Sequence, residues 1–271
     1  MAFCFSDDGG RFPSSRFGRL VPLLLFALTA VVTGCNSDPG LSTVPERLQR
    51  TVDSLRAADG FPGATAAVVT ANGSVHAVAT GWADREDSTR MTPDTRMLGG
   101  STGKSFVAAV TLSLAQAGTV DLDAPVSRWI GDRPWFDRLP NADALTLRVL
   151  LRHQSGLVDH IHSEAFRRAT QEKRADEGAD AAFSPTELVR LVLGTEPLFP
   201  AGTGYHYSDT NYILAGMVVE EATGRRYDAL LRDRLLDPLA LFDTDPADRR
   251  SLSGLAAGYI AGDPPFGLPS K

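Results

Sequence analysis

Cysteine is nearly absent. Cys4 and Cys35 are the two in 271 residues, which excludes a disulfide-built scaffold, and no Cys/His cluster has zinc spacing. Positive charge is not in excess either: 27 Lys and Arg face 33 Asp and Glu, a net −6. Without a basic stripe there is nothing to displace phosphate counterions, so a nucleic-acid partner is excluded. The one long apolar run, Leu20 to Val32, is too short for a transmembrane helix. Lysine is the scarcest charge, with Lys104, Lys173 and Lys271 beside 24 arginines. An amine can be deprotonated and a guanidinium cannot, so each retained lysine invites a chemical question. What is present, 43% hydrophobic and 22% charged residues, suits a folded chain of one or two domains with a real core.

Residues 1–34 read as a targeting leader and stand outside the fold. Arg11, Arg16 and Arg19 precede the apolar run, which closes Val32-Thr33-Gly34-Cys35. That ending resembles a bacterial lipobox. The resemblance implies an exported protein whose lipidated Cys35 holds it on the cell membrane or outer membrane, facing the periplasm or exterior. An ordinary signal peptide or a short membrane anchor is the other reading. Residues 35–44 form a polar tether, and a single domain is expected over 45–271.

Helical spacing through Leu48, Val52 and Leu55 predicts a helix from Pro45 to Asp59, stopped by Gly60. Two β-rich runs, Ala64 to Thr70 and Ser74 to Trp82, meet at Asn72-Gly73, a strong hairpin signal. An apolar helix is expected from Gly103 to Ala117. Further helices are expected at Leu145 to Arg152, Pro185 to Leu193, Asn211 to Ala222 and Tyr227 to Leu235. Ser184, Pro185 and Glu187 have the pattern of a capping box. His160 to Asp180, charged and Ala-rich, reads as a mobile surface insertion. Two strands alone do not make a stable sheet, so the hairpin must pair with something beyond Ala240 or lack a partner.

The segment Leu98-Gly99-Gly100-Ser101-Thr102-Gly103-Lys104-Ser105 admits three motifs. A phosphate-binding loop would need a glycine at Leu98 and a buried strand before it, and has neither. A Gly-x-Ser-x-Gly elbow fits Gly99, Ser101 and Gly103, but needs a parallel sheet and a downstream acid and histidine, where the pattern is helical. The third, Ser-x-x-Lys, puts Ser101 and Lys104 one helical turn apart on one face. A serine hydroxyl needs an adjacent base, and a desolvated lysine amine can be one.

Taken with three more segments, this resembles the serine β-lactamase and penicillin-binding-protein-like family, in the branch of class C β-lactamases, D-alanyl-D-alanine carboxypeptidases and esterases. Gly100 to Phe106 is similar to its first motif, and Val120 to Val126 to the turn after the catalytic helix. Leu145 to Leu157, ending Arg152-His153-Gln154-Ser155-Gly156-Leu157, is similar to its site-facing loop. Tyr207-Ser208-Asp209 resembles the second motif, Tyr-x-Asn. The resemblance implies an α+β, β-lactamase/transpeptidase-like fold: an antiparallel sheet with flanking helices and a helical subdomain over about 119–241. It implies acyl-enzyme hydrolysis by Ser101, with Lys104 and Tyr207 sharing the base work, each held down in pKa by the other's charge. The Ser101 N–H would supply half of the oxyanion hole.

Two departures matter. Asp209 replaces the asparagine that would contact substrate; a carboxylate only accepts hydrogen bonds, and near Lys104 it would favour the charged amine. That counts against efficient β-lactam or peptide recognition and somewhat toward esters or other substrates, with ester, peptide and β-lactam carbonyls all left open. Asn211 lies on a different face. The third motif, Lys-Thr-Gly or His-x-Gly, is absent, so the later sheet strands are expected to be missing from this chain. The expectation is therefore a lipid-anchored serine hydrolase acting on a small-molecule or peptide substrate. The alternative is a truncated, inactive relative with at most a binding role. No cofactor and no metal is expected: Asp159-His160-Ile161-His162 shows no third ligand and reads as solvated loop histidines. His206 either lines the cleft or packs, and the Arg pairs 167/168, 225/226 and 249/250 read as solvated faces.

Overall fold

In the computed structural model, which describes residues 43–178, 182–247 and 254–260, Thr43 starts the first helix, α1 (Val44–Asp59). Its side chain accepts from the Glu46 N–H while Glu46 accepts from the Thr43 N–H, and Gly60 ends the helix in the left-handed conformation. Val52 is the buried anchor of α1 against the sheet, and Gln49 donates to the Ala79 carbonyl at 3.0 Å.

The hairpin forms as expected. Strands β1 (Gly63–Val69) and β2 (Val75–Asp84) pair antiparallel from Gly63↔Gly81 to Val69↔Val75. Gly81 has φ +76, and a Cβ there would lie 2.1 Å from the Pro62 carbonyl oxygen, so only glycine fits. A third strand, β3 (Thr89–Arg90), extends the sheet in the order β1-β2-β3, after an irregularity at Trp82/Asp84. The hairpin also meets chain beyond Ala240, where the Ala257 N–H donates to the Ala83 carbonyl at 2.8 Å, and the Ala256 N–H donates to the carbonyl of Arg96, past the hairpin, at 2.9 Å. Arg96 binds that region by side chain too, with Asp243 at 3.2 Å and Asp245 at 3.0 Å.

The helical layer comprises α2 (Gly103–Gln116), α3 (Ser127–Ile130), α4 (Leu147–Leu151), α5 (Glu164–Glu177), α6 (Pro185–Arg190), α7 (Asp209–Thr223) and α8 (Tyr227–Leu231), which a π-helical turn continues to Leu236. Helix α7 is apolar on several faces because α2, α3, α4, α6 and α8 surround it. The core lies there, with Val110, Leu114, Ile130, Leu147, Leu150 and Leu214 at 0–1% exposure. This is the α+β arrangement expected. The charged stretch after His160 is corrected in one respect: residues 164–177 form helix α5, capped by Ser163 and lacking buried residues. Arg167 pairs with Glu164, Arg225 with Asp233 and Arg226 with Asp228, on solvated faces, while 249/250 lie outside the described residues. No helix among the described residues is long and apolar enough to cross a membrane.

Candidate active site

Ser101 stands on a 3-10 turn, Gly100–Thr102, that runs straight into α2. It is exposed, and the helical turn that follows swings Lys104 back so that Nζ lies 3.2 Å from Ser101 Oγ. The chain before it, apart from a bridge at Arg96, is not a strand, so neither the phosphate-loop nor the elbow geometry is present.

Tyr207 comes from 106 residues downstream, on the extended chain that enters α7. Its hydroxyl donates to Ser101 Oγ at 2.8 Å, and Lys104 Nζ sits 4.9 Å from its ring centroid and 5.7 Å from that of Tyr212. Asp209, the first residue of α7, brings Oδ1 to 2.5 Å from Lys104 Nζ. That oxygen is buried, and its contact is an ion pair out of hydrogen-bond alignment. Burial pushes Lys104 down, but the Asp209 carboxylate and the Tyr207 hydroxyl together outweigh it, so the amine lies above the ordinary lysine value. The resemblance implied a lysine held down by Tyr207; here both partners raise it, because each stabilises the ammonium. The structure thus brings Ser101, Lys104, Tyr207 and Asp209 together. Cys35 lies outside the described residues.

What holds Tyr207 in place is His153, which motif reading passed over. Its backbone is left-handed, φ +55, at the turn after α4. Three consecutive residues then rest on it. The His206 N–H donates to its carbonyl at 3.0 Å, the Tyr207 ring stacks on its imidazole at 4.4 Å and 28°, and the Ser208 N–H donates to Nδ1 at 3.2 Å. Asn211 Nδ2 also approaches Nδ1 at 3.2 Å. Two donors aimed at Nδ1 require it unprotonated, and burial first, then the Lys104 charge, hold this histidine below its usual value.

Asn211 is turned away from the serine. Its Oδ1 accepts from Ser155 Oγ at 2.5 Å, and Ser155 Oγ accepts from the Leu157 N–H at 3.0 Å. Asn141 fastens the same loop by donating to the Ser155 and Phe199 carbonyls at 2.8 and 2.9 Å. Gly156 has φ +74, and a Cβ there would meet the Phe199 carbonyl oxygen at 2.2 Å. The Ser155-Gly156 pair thus fixes the loop that carries His153.

The histidines after Asp159 need correction. His162 is solvated, with its side chain 83% exposed, but His160 is buried, its Nδ1 2.9 Å from Thr210 Oγ1. Burial is again the main cause of its lowered pKa. Asp159, also buried, accepts from the Asp209 N–H at 3.2 Å and so ties this turn to the start of α7. No group of three potential metal ligands occurs among the described residues. His206 is exposed, and its N–H donates to the His153 carbonyl. A groove of ≈ 800 Å³ lies behind the Ser101 turn, lined by Met97, Leu98, Phe106, Val107 and Leu231; Ser101, Lys104 and Tyr207 do not line it.

The family described as Beta-lactamase matches residues 48–265. Penicillin-binding protein 4 of Amycolatopsis lactamdurans is 31% identical over 204 residues, which is 71% of this chain and 47% of that protein. The teichoic acid D-alanine hydrolase of Staphylococcus aureus (strain MRSA252) is 27% identical over 180 residues, 66% and 40% of the two chains. The chain spans about half the length of the curated relatives it matches. Among solved structures, a D-amino acid amidase from Ochrobactrum anthropi SV3 superposes with TM-score 0.63 and 29% identity, over 84% of this chain and 62% of that one. A D-stereospecific amidohydrolase from Streptomyces sp. gives TM-score 0.60 and 31% identity, over 71% and 54%.

Proposed function

The chain belongs to the β-lactamase family, and from that premise we propose that it is a serine hydrolase in which Ser101 forms an acyl-enzyme with an ester, peptide or amide, or β-lactam carbonyl. The observation that carries this is the convergence of two side chains on one exposed hydroxyl, Tyr207 at 2.8 Å and Lys104 at 3.2 Å from Ser101 Oγ. Nucleophile and base within hydrogen-bond reach, held by a third group, is the arrangement covalent catalysis requires. Relatives named as a penicillin-binding protein, a D-alanine hydrolase and amidases favour acyl transfer from such carbonyls.

In this reading Ser101 Oγ attacks the carbonyl carbon and its proton passes into the Lys104–Tyr207 pair. The bond to the leaving group breaks and that group takes a proton from the pair. Water then attacks the acyl ester, releasing the acid and restoring the serine. The Ser101 N–H, at the entry to α2, is one donor to the oxyanion. Asp209 acts against the first step, because it favours the ammonium over the free amine.

A fluorescent penicillin or fluorophosphonate tests this. The wild type should label and Ser101→Ala should not; equal labelling of both overturns it. A lipidated Cys35 would place the domain outside the cytoplasm, on the support of Val32-Thr33-Gly34-Cys35. A fatty-acid analogue should then enter the wild type and not Cys35→Ala, and incorporation into neither refutes the anchor.

A further inference from the structure

We propose that Asp209 makes this cleft selective for acyl donors carrying a cationic amine beside the scissile carbonyl, as aminoacyl esters and amides do, and that the substrate's ammonium is what frees Lys104 to act as base. The proposal rests on acylation at Ser101.

Position comes first. Lys104 Nζ bridges the nucleophile, 3.2 Å away, and the carboxylate, 2.5 Å away, so Asp209 lies within two hydrogen-bond lengths of Ser101 Oγ. In an aminoacyl donor the amine nitrogen is two bonds from the carbonyl carbon. With that carbon on Ser101, the amine falls in the space the carboxylate borders. A carboxylate has two oxygens and Lys104 engages one; the Asp209 side chain keeps 24% of its surface exposed.

Charge agrees. Asp209 and Asp159 bring two carboxylates to the start of α7, against the single ammonium of Lys104. The ion-pair neighbours of Asp159 are His160 at 3.9 Å and His162 at 4.0 Å, and burial favours the neutral form of both His153 and His160. Among the described residues, the carboxylates at the start of α7 outnumber the cations recorded against them, which favours an incoming cation. The exposed ring of Tyr205, edge-on to His153 at 6.1 Å, adds a face that attracts an ammonium.

The same contact resolves the obstacle Asp209 presents. Paired with Lys104, the carboxylate holds the amine as a donor rather than a base. A substrate ammonium on Asp209 competes for that carboxylate and repels the Lys104 charge, and both effects favour loss of the lysine proton to water. The neutral amine then takes the Ser101 proton as the Oγ–C bond forms, and returns it to the alkoxide or amide leaving group as that bond breaks. An acyl group without the amine binds the same pocket and leaves Lys104 paired.

The test compares alanyl and propionyl donors, identical apart from the amine, as 4-nitroanilides and as phenyl esters, on the full chain. The readout is the ratio of kcat/KM with the amine to that without it. Wild type should show a ratio of about tenfold or more, the worth of one charge-assisted contact. In Asp209→Asn the ratio should fall toward one, and in Asp209→Glu part of it should remain. A measurement on the wild type alone guards against a variant that fails to fold. Raising the pH past the α-amine pKa of about 8 should collapse the ratio. Asp159, Tyr207, Tyr212 and His153 face both substrates alike, whereas Lys104 and Asp209 are the pair the amine perturbs. The alanyl donor should therefore lose its advantage at the substrate amine's pKa, read from the alanyl profile against the propionyl one. Turnover abolished by Ser101→Ala with a ratio near one, or a ratio unchanged in Asp209→Asn, overturns the amine proposal and leaves acylation standing. Absence of Ser101-dependent turnover of all four donors overturns the acylation reading and this one with it.

Discussion

Replacing His153 with Phe separates the two jobs that the imidazole does. The ring remains to stack on Tyr207, while the acceptor Nδ1 is lost. Two donors then lose their partner, the Ser208 N–H and Asn211 Nδ2, in residues that are both fully buried. A buried donor left unpaired costs about 1–3 kcal/mol, so the pair should cost about 2–6 kcal/mol. For a domain of this size each kcal/mol lowers the melting temperature by roughly 2–4 °C, which puts the His153→Phe midpoint about 4–24 °C below wild type. His153→Asn makes the complementary change: asparagine tolerates φ +55 and offers an acceptor, but no ring. It should recover part of the stability while labelling Ser101 more slowly, because Tyr207 loses its platform. Calorimetry and the rate of fluorophosphonate labelling read the two effects separately. A His153→Phe midpoint within about 2 °C of wild type would refute the role of the acceptor. Wild-type labelling by His153→Asn would refute the role of the stack.

Stability should also fall on mild acidification. His153 and His160 are both held below the unfolded value of 6.5, chiefly by burial, so the unfolded chain binds protons more readily. Their contribution is complete above pH 6.5 and is lost as pH falls through the lower folded values; melts between pH 7.5 and 5 should show it, and His160→Gln should flatten the slope, an unchanged slope counting against the assignment. Gly156→Ala should destabilise far more than Gly118→Ala. Both have left-handed backbones, φ +74 and +73, but a Cβ at Gly156 meets the Phe199 carbonyl oxygen at 2.2 Å whereas at Gly118 it meets nothing within 4 Å. Equal melting temperatures for the two variants would show that the loop gives way at no cost.

Much of the local structure was legible because local rules govern it. Asn72-Gly73 between two β-rich runs specifies a hairpin, and the Ser184/Glu187 pair specifies a helix start; both form where expected. Periodicity was less informative after Tyr227, where the helix passes into a π-helical turn at Arg232, and around His160. A polar dipeptide in a charged stretch looks solvated until α7 covers it. The partner of the hairpin beyond Ala240 was equally open in the sequence, since Ala83 and Ala257 are 174 residues apart and share no pattern.

The same division runs through the site. The sequence by itself determined that Ser101 and Lys104 meet, because three residues of separation on a helix is one turn, and that the amine there, unlike an arginine, is a group that can lose its proton. Only the tertiary structure decided how that amine is tuned. Packing of α7 against α2 sets Asp209 on Lys104, and the left-handed turn at His153 sets Tyr207 on Ser101. Helical periodicity fixes neighbours within one element, whereas contacts between elements depend on how their apolar faces seat together.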